Sequence, residues 1–325
     1  MRSILLINRM GIGDVVLTTP LAQLIKENID AHVGMLVSAK ATDIIQHHPY
    51  IDDVFTWNKK QANTILGDIR AKKYTEAIIV DERMTSTLIA LRAGCKLVNY
   101  GLELTIGKHR LLSRKQYHKQ AILDYSSYIT LLDKDLPIAY RKPVLGIPPQ
   151  SSQDKISDWL AKNNPNAVPL VTVIPRGIAE NKNWMPEYFG VINEYLQKRG
   201  AIPIYLGSIH DEEYINSING PKINAAGTFS LREVALLSQY TSFCIAPCTG
   251  TMHITATAGK PIIALYGPTQ PERWAPENAI IAKAQNLSCM PCESLQCKNQ
   301  IYKKCMREIT PQSVIKLIEE HLLLP

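Results

Sequence analysis

Four short stretches of this sequence carry residue types that do chemistry. In Arg9-Met10-Gly11-Ile12-Gly13-Asp14 a carboxylate follows two glycines at the start of a helical stretch. Free N–H groups and the helix dipole hold such a carboxylate ionised, so it suits a general base that takes a proton from an attacking hydroxyl. An ordinary N-terminal helix carboxylate is the other reading. Pro175-Arg176-Gly177 followed by Asn181-Lys182-Asn183-Trp184-Met185-Pro186 offers Lys182, a compact cation able to neutralise charge developing on a leaving anion, or simply a solvated loop lysine. From Ser242 the chain runs through an apolar stretch to Ala246, a turn at Thr249, Gly250 and Thr251, and a small-residue helix from His253 to Ala258. Gly259 and Pro261 stop that helix, a strand follows to Tyr266, and Gly267-Pro268-Thr269 turns the chain. Free N–H groups at such a helix start attract anions, which points to a phosphate-bearing ligand; a crossover with glycines serving only packing stays open. Last, Cys289, Cys292, Cys297 and Cys305 form C-x2-C-x4-C-x7-C. Clustered thiols in a reducing compartment suggest a structural zinc or iron site, with reduced or redox-labile thiols as the alternative.

These stretches need a scaffold, and the apolar pattern supplies one. A strand at Ser3 to Asn8 precedes a helix from Val15 to Glu27. Strands at 32–37, 53–56, 76–80 and 96–100 then alternate with helices at 39–47, 61–72 and 85–93. After a basic stretch and a long helix, His118 to Asp133, a proline-rich segment from Pro137 to Pro149 reads as a linker. Alternation restarts with strands at 170–174 and 202–207 and helices at 186–199, 211–218 and 231–238. Alternating strands and helices with short loops predict parallel sheets covered on both faces, here two Rossmann-like halves with a ligand cleft between them.

Composition narrows the partners. The chain has 325 residues, 46% hydrophobic and 20% charged, with a formal charge of +7 and an isoelectric point near 8.9. This fits a soluble α/β protein with an acidic partner. No apolar run approaches the roughly 20 residues of a membrane span, and Ile4 to Ile7 is too short for a signal-peptide core, so a cytoplasmic location is expected. Gly107 to Gln120 gathers Lys108, Arg110, Arg114, Lys115 and Lys119 around Tyr117 without one acid. No nucleic-acid-binding motif accompanies it, and no nucleic-acid partner is expected. A dinucleotide fingerprint fails because Val16 stands where its third glycine belongs.

The sequence resembles the ADP-heptose:lipopolysaccharide heptosyltransferases, glycosyltransferase family 9. Thr249, Gly250, His253 and Gly267-Pro268-Thr269 match that family's donor-side motif, with Cys248 where the family usually has Asp. MGIGDVVLTTPL is similar to its N-terminal motif, and Lys182 before Trp184 and Pro186 to its second-domain segment. The resemblance implies a GT-B fold, with residues 1–150 binding acceptor and 151–325 binding the nucleotide sugar. The second part includes the Cys-rich segment 289–305 and a C-terminal helix from Pro311 to Leu323. It implies an inverting transfer of heptose from ADP-L-glycero-D-manno-heptose to the lipopolysaccharide inner core, with no cofactor required for chemistry. Asp14 would be the base and Lys182 the catalytic cation. Cys248, Thr249, Gly250, Thr251, His253, Arg176 and, on the adenine side, Phe229 would meet the donor. Gly11, Gly13, Lys108, Arg110, Arg114 and Lys115 would meet a lipid-linked anionic core oligosaccharide, with peripheral contact at the cytoplasmic face of the inner membrane. Similar cysteine clusters occur in some members. A thiol replaces a carboxylate acceptor poorly, so another nucleotide sugar stays open; a protein acceptor and a non-catalytic nucleotide-binding role stay open as well.

Overall fold

The computed structural model describes residues 2–99, 105–106, 109–110 and 118–324. The chain divides into two compact units, Met1–Ile147 and Pro148–Pro325. Unit 1 begins with β1 (Arg2–Asn8), α1 (Ile12–Asn28), β2 (Ala31–Ser38), α2 (Thr42–Ile45), β3 (Asp53–Trp57), α3 (Ala62–Ala71), β4 (Glu76–Ile79), α4 (Met84–Arg92) and β5 (Lys96–Leu97). A short antiparallel pair, β6 (Thr105–Ile106) and β7 (His109–Arg110), and α5 (Ala121–Ser126) complete its regular elements. The five long-range strands pair in parallel in the order β3-β2-β1-β4-β5. β1 is central, and Ile4, Leu5, Leu6 and Ile7 are fully buried, as an unbroken apolar run in a sheet covered on both faces requires.

One expected helix holds despite an internal proline, and another element departs from the sequence reading for a plain cause. Pro20 lies inside α1 and cannot donate to the carbonyl of Val16; the Thr19 hydroxyl donates to that carbonyl instead, at 2.9 Å. The long helix expected over His118 to Asp133 is α5 followed by a 3-10 turn, Ser127–Leu131. There Ser126, Ser127 and Thr130 each donate to a carbonyl three or four residues back, competing with helical bonding and tightening the chain.

Unit 2 contains α6 (Gln150–Asn163), β8 (Leu170–Val173), α7 (Pro186–Lys198), β9 (Ile202–Tyr205), α8 (Glu212–Ser217), β10 (Ile223–Asn224), α9 (Leu231–Ser238) and β11 (Phe243–Pro247). It continues through α10 (Gly250–Ala256), β12 (Ile262–Tyr266), α11 (Pro271–Trp274), β13 (Ala279–Lys283), α12 (Lys304–Arg307) and α13 (Pro311–Glu320). Its six parallel strands run β10-β9-β8-β11-β12-β13. The sequence reading leaves 150–163 without an element because α6 fully buries only Ser152 and Ile156, too few for a clear periodic face. A core of stacked aromatics, Trp184 edge-on to Phe189 at 4.9 Å and Phe189 to Tyr205 at 5.9 Å, fixes α7 on the sheet.

In both sheets the strand order turns back once, between β1 and β4 in unit 1 and between β8 and β11 in unit 2. Loops leaving the carboxyl ends of such neighbouring strands diverge, and ligands of open α/β sheets bind there.

Packing in the unit 1 sheet leaves no room at Gly34. A Cβ there would fall 2.1 Å from Tyr74 Oη, and that hydroxyl is fixed because it donates to Asp53 at 2.6 Å. Gly34→Ala should therefore destabilise the fold by about 1–3 kcal/mol, read as a lower midpoint of urea unfolding, whereas Gly67→Ala, in open space on α3, should not.

Candidate active site

At the switch point of unit 1, Asn8 is fully buried and shapes the loop after β1. Its amide donates to Thr18 Oγ1 at 2.8 Å while its carbonyl oxygen accepts from the Met10 N–H at 3.1 Å. The chain then enters α1 at Gly11, whose side chain could not have capped the helix. An added Cβ would lie 3.2 Å from Asp14 Oδ2, so Gly11 makes space for that carboxylate. Asp14 is half-buried in the first turn of α1, and Tyr125 Oη donates to its Oδ1 at 2.7 Å. From the neighbouring strand end, buried Asp81 accepts from the Arg9 N–H at 3.1 Å and from Ser86 Oγ at 2.7 Å. The Arg9 guanidinium also donates to Ser86 Oγ and lies over the Trp57 ring. Gly11, Gly13 and Asp14 thus share one edge with Arg9, Asp81 and Tyr125, three residues the sequence does not single out. Lys108, Arg114 and Lys115 lie outside the described residues, and Arg110 is described only by its place in β7.

At the switch point of unit 2, Asn183 ties the loop after β8 into a ring. It accepts from the Gly177 N–H at 2.8 Å and donates to the Gly177 carbonyl at 3.2 Å. Lys182 ends a 3-10 turn in this loop and is half-buried. Gly177 passes so near the other loop that a Cβ would come 2.4 Å from Thr249 Cγ2. Thr249 caps α10, accepting from the Met252 N–H at 3.3 Å, and the helix starts at Gly250 rather than at His253 as the sequence suggests. Gly250 and Thr251 therefore form its first turn, with N–H groups that lack intrahelical partners.

His253 is 5% exposed, and burial together with the nearby Lys182 charge pulls its imidazole down to about 4, so it is neutral at physiological pH. Burial pushes the Cys248 thiol up, against the lowering effect of Lys182, and keeps it protonated. Tyr266 Oη and Thr269 Oγ1 are buried without a well-formed hydrogen bond; the Cys248 thiol is the polar group that acts on both. Lys182 thus acts on two neutral groups, His253 and Cys248, while the Glu293 carboxylate acts on Cys248 and Tyr266. Arg176 is held differently, by an ion pair from Nε to Asp211 at 2.9 Å and by the Tyr214 ring beneath its guanidinium. Phe229 packs edge-on to Trp159 at 5.3 Å under the Lys155 ammonium, so its observed contacts are with α6.

Cys289, Cys292, Cys297 and Cys305 line one cavity of about 510 Å³ together with Asn181 and Pro268. Burial, then the other three cysteines, pushes the Cys305 thiol up to about 11. All are free thiols, Cys289 and Cys292 exposed, Cys297 half-buried and Cys305 buried. Cys289 accepts from Asn299 and Cys297 from the Lys303 N–H. Among the described residues no three His, Cys, Asp or Glu side chains stand in a metal-holding group. The expected zinc or iron thus has no support from the arrangement of these four thiols, although they line one cavity. The segment instead braces the neighbouring loops. Glu293 bonds the Pro268 carbonyl and the Gln270 N–H at 2.8 and 2.7 Å, and Asn181 donates to the Ser294 carbonyl at 2.7 Å. Among the described residues no helix is long and apolar enough to cross a membrane.

In an NMR titration the His253 ring should show a midpoint near 4, and Lys182→Met should move it upward, since a neighbouring cation is removed. A midpoint near the ordinary value of about 6.5 would contradict the neutral, buried state. Because the folded value is depressed, the associated stability is full above the unfolded value and is lost as pH falls from there through about 4.

The model of glycosyltransferase family 9 (heptosyltransferase) matches residues 64–303. The chain is similar to lipopolysaccharide heptosyltransferase 2 of Salmonella typhimurium, 23% identical over 99% of this chain and 98% of the relative. It is similar also to lipopolysaccharide heptosyltransferase 3 of Escherichia coli K12, 25% identical over 95% of both chains. Its fold is similar to the solved structure of E. coli ADP-heptose lps heptosyltransferase II, with a TM-score of 0.78, 20% identity and 99% of both chains covered. The two parallel α/β sheets are those of the GT-B class. With most of its length matched by the family model, the chain belongs to glycosyltransferase family 9, the heptosyltransferases, and is a glycosyltransferase.

Proposed function

We propose that this enzyme transfers heptose from ADP-L-glycero-D-manno-heptose to a hydroxyl of the lipopolysaccharide inner core, with inversion at the anomeric carbon. The observation that carries the reading is the set of Lys182, neutral His253 and the Thr249–Gly250 helix start at the switch point of unit 2. A diphosphate seats on the free N–H groups of Gly250 and Thr251, and His253 accepts or donates a hydrogen bond without adding charge. Lys182 takes up the negative charge that develops as the nucleoside diphosphate departs. Cys248 meets the donor sugar, and Arg176 and Phe229 take the nucleotide side.

Unit 1 supplies the base. Asp14 removes the proton of the acceptor hydroxyl as its oxygen bonds to the anomeric carbon, while the bond to the diphosphate breaks and ADP leaves with the electron pair. A single displacement of this kind inverts the centre, and members of this family need no cofactor for it. Gly11 and Gly13 let acceptor approach the backbone, and Lys108, Arg110, Arg114 and Lys115 attract an anionic, lipid-linked oligosaccharide. Such an acceptor implies action at the cytoplasmic face of the inner membrane, with peripheral contact. The names of the relatives support both donor and acceptor. Cys248, in place of the family's usual Asp, favours a second reading in which the donor is another ADP-linked sugar.

Calorimetry with ADP, UDP and GDP, followed by turnover of ADP-heptose on heptose-deficient lipopolysaccharide, tests the assignment. ADP should bind selectively, and Asp14→Asn should lower kcat by about 10²–10⁴-fold with donor binding retained, while Lys182→Ala should weaken ADP binding as well as turnover. Tight UDP or GDP binding without an ADP response would sink the heptose assignment; ADP binding without heptose turnover would favour the second reading.

A further inference from the structure

We propose that Tyr125 is the positioning residue for Asp14, fixing the carboxylate so that Oδ2 faces the acceptor proton. This rests on the reading of Asp14 as the base. Tyr125 is 6% exposed on α5, a helix packed against α1, and its ring is held there while its hydroxyl reaches Asp14 Oδ1 at 2.7 Å. A buried phenol needs a partner, and a bond to a carboxylate is among the stronger kinds. It engages one oxygen only. Oδ2 lies over Gly11, where any larger residue would crowd it, and among the described residues no side chain donates to it. A carboxylate on a helix surface otherwise rotates among several arrangements; tied at one oxygen, it presents the other in a single orientation.

Among the described residues, the neighbouring polar groups are engaged elsewhere. Asp124, beside it on α5, is buried and accepts from the His118 N–H. Tyr128, one turn further on, donates to Glu82 Oε1 at 2.6 Å. Arg9, in the loop before α1, is committed to Asp81 and Ser86, and Lys40, on the 3-10 turn Ala39–Ala41 against α1, is exposed. Tyr125 and Tyr128 thus share one helical face and reach two different carboxylates at the same sheet edge, which provides an internal control.

The test compares Tyr125→Phe, Tyr128→Phe and Asp14→Asn in full-length enzyme, with ADP-heptose as donor and heptose-deficient lipopolysaccharide as acceptor. Tyr125→Phe keeps the ring, so its melting temperature should fall no further than that of Tyr128→Phe, which loses a comparable bond. Its kcat should fall roughly tenfold, the scale of one lost hydrogen bond to a charged group, with donor KM within twofold. Tyr128→Phe should leave both kcat and donor KM unchanged. Wild-type kcat in Tyr125→Phe, or equal losses in both tyrosine variants, would overturn the proposal. Full turnover by Asp14→Asn would instead remove the base assignment, and the positioning role with it.

Discussion

Parallel strands deliver all their carboxyl ends to one edge of a sheet, and only where the strand order turns back do two adjacent loops part company. Everything that could act chemically in this protein depends on that constraint. In unit 1 the opening falls between β1 and β4 and brings Gly11, Asp14 and Asp81 to one edge. In unit 2 it falls between β8 and β11, and the loops carrying Lys182 and Thr249 leave from there. The residues in these loops can change without altering the sheets beneath, which is why a common fold supports so many sites.

The electrostatics of the unit 2 edge follow from burial. A histidine and a thiol feel the charge of Lys182, a phenol adjoins that thiol, and desolvation holds each of them in its uncharged form. Neutral His253 and Cys248 do not cancel the field of Lys182 for an incoming anion, and the charge that also acts on this thiol is that of Glu293. A carboxylate at position 248 would have offset part of that field and given Tyr266 and Thr269 a strong acceptor; the thiol does neither well.

Much of this architecture is legible in the sequence, and its gaps have physical origins. Buried parallel strands such as Ile4 to Ile7 and Ile262 to Tyr266 are runs that need no partner to be recognised. The loops between them are marked by Gly11, Gly13 and Gly250, positions where a side chain or a helix start is at issue. By contrast α6 hides behind a polar sequence that buries little, and β10 is only two residues long. Serine and threonine back-bonding ends α5 early, a competition that apolar spacing does not report. Tyr125 stands 111 residues from Asp14, and nothing local to either residue announces the hydrogen bond between them. Likewise Cys-x-x-Cys spacing suggests a metal site, yet spacing carries no information on how differently the four thiols are exposed or bonded.

The brace around the loop after β8 has a consequence for the order in which the chain is made. Trp184, fully buried beside that loop, donates its indole N–H to the Ile309 carbonyl at 2.8 Å, and Tyr188 donates to the Arg307 carbonyl. Gly267 likewise faces Met306 and Cys305. A ribosome releases residues 170–274 with their strands and both switch-point loops well before these partners emerge. The nascent sheet can assemble, but its loops gain supports in turn, from Glu293 and Ser294 first and from Arg307 and Ile309 last, so the loops are braced later than the strands that carry them.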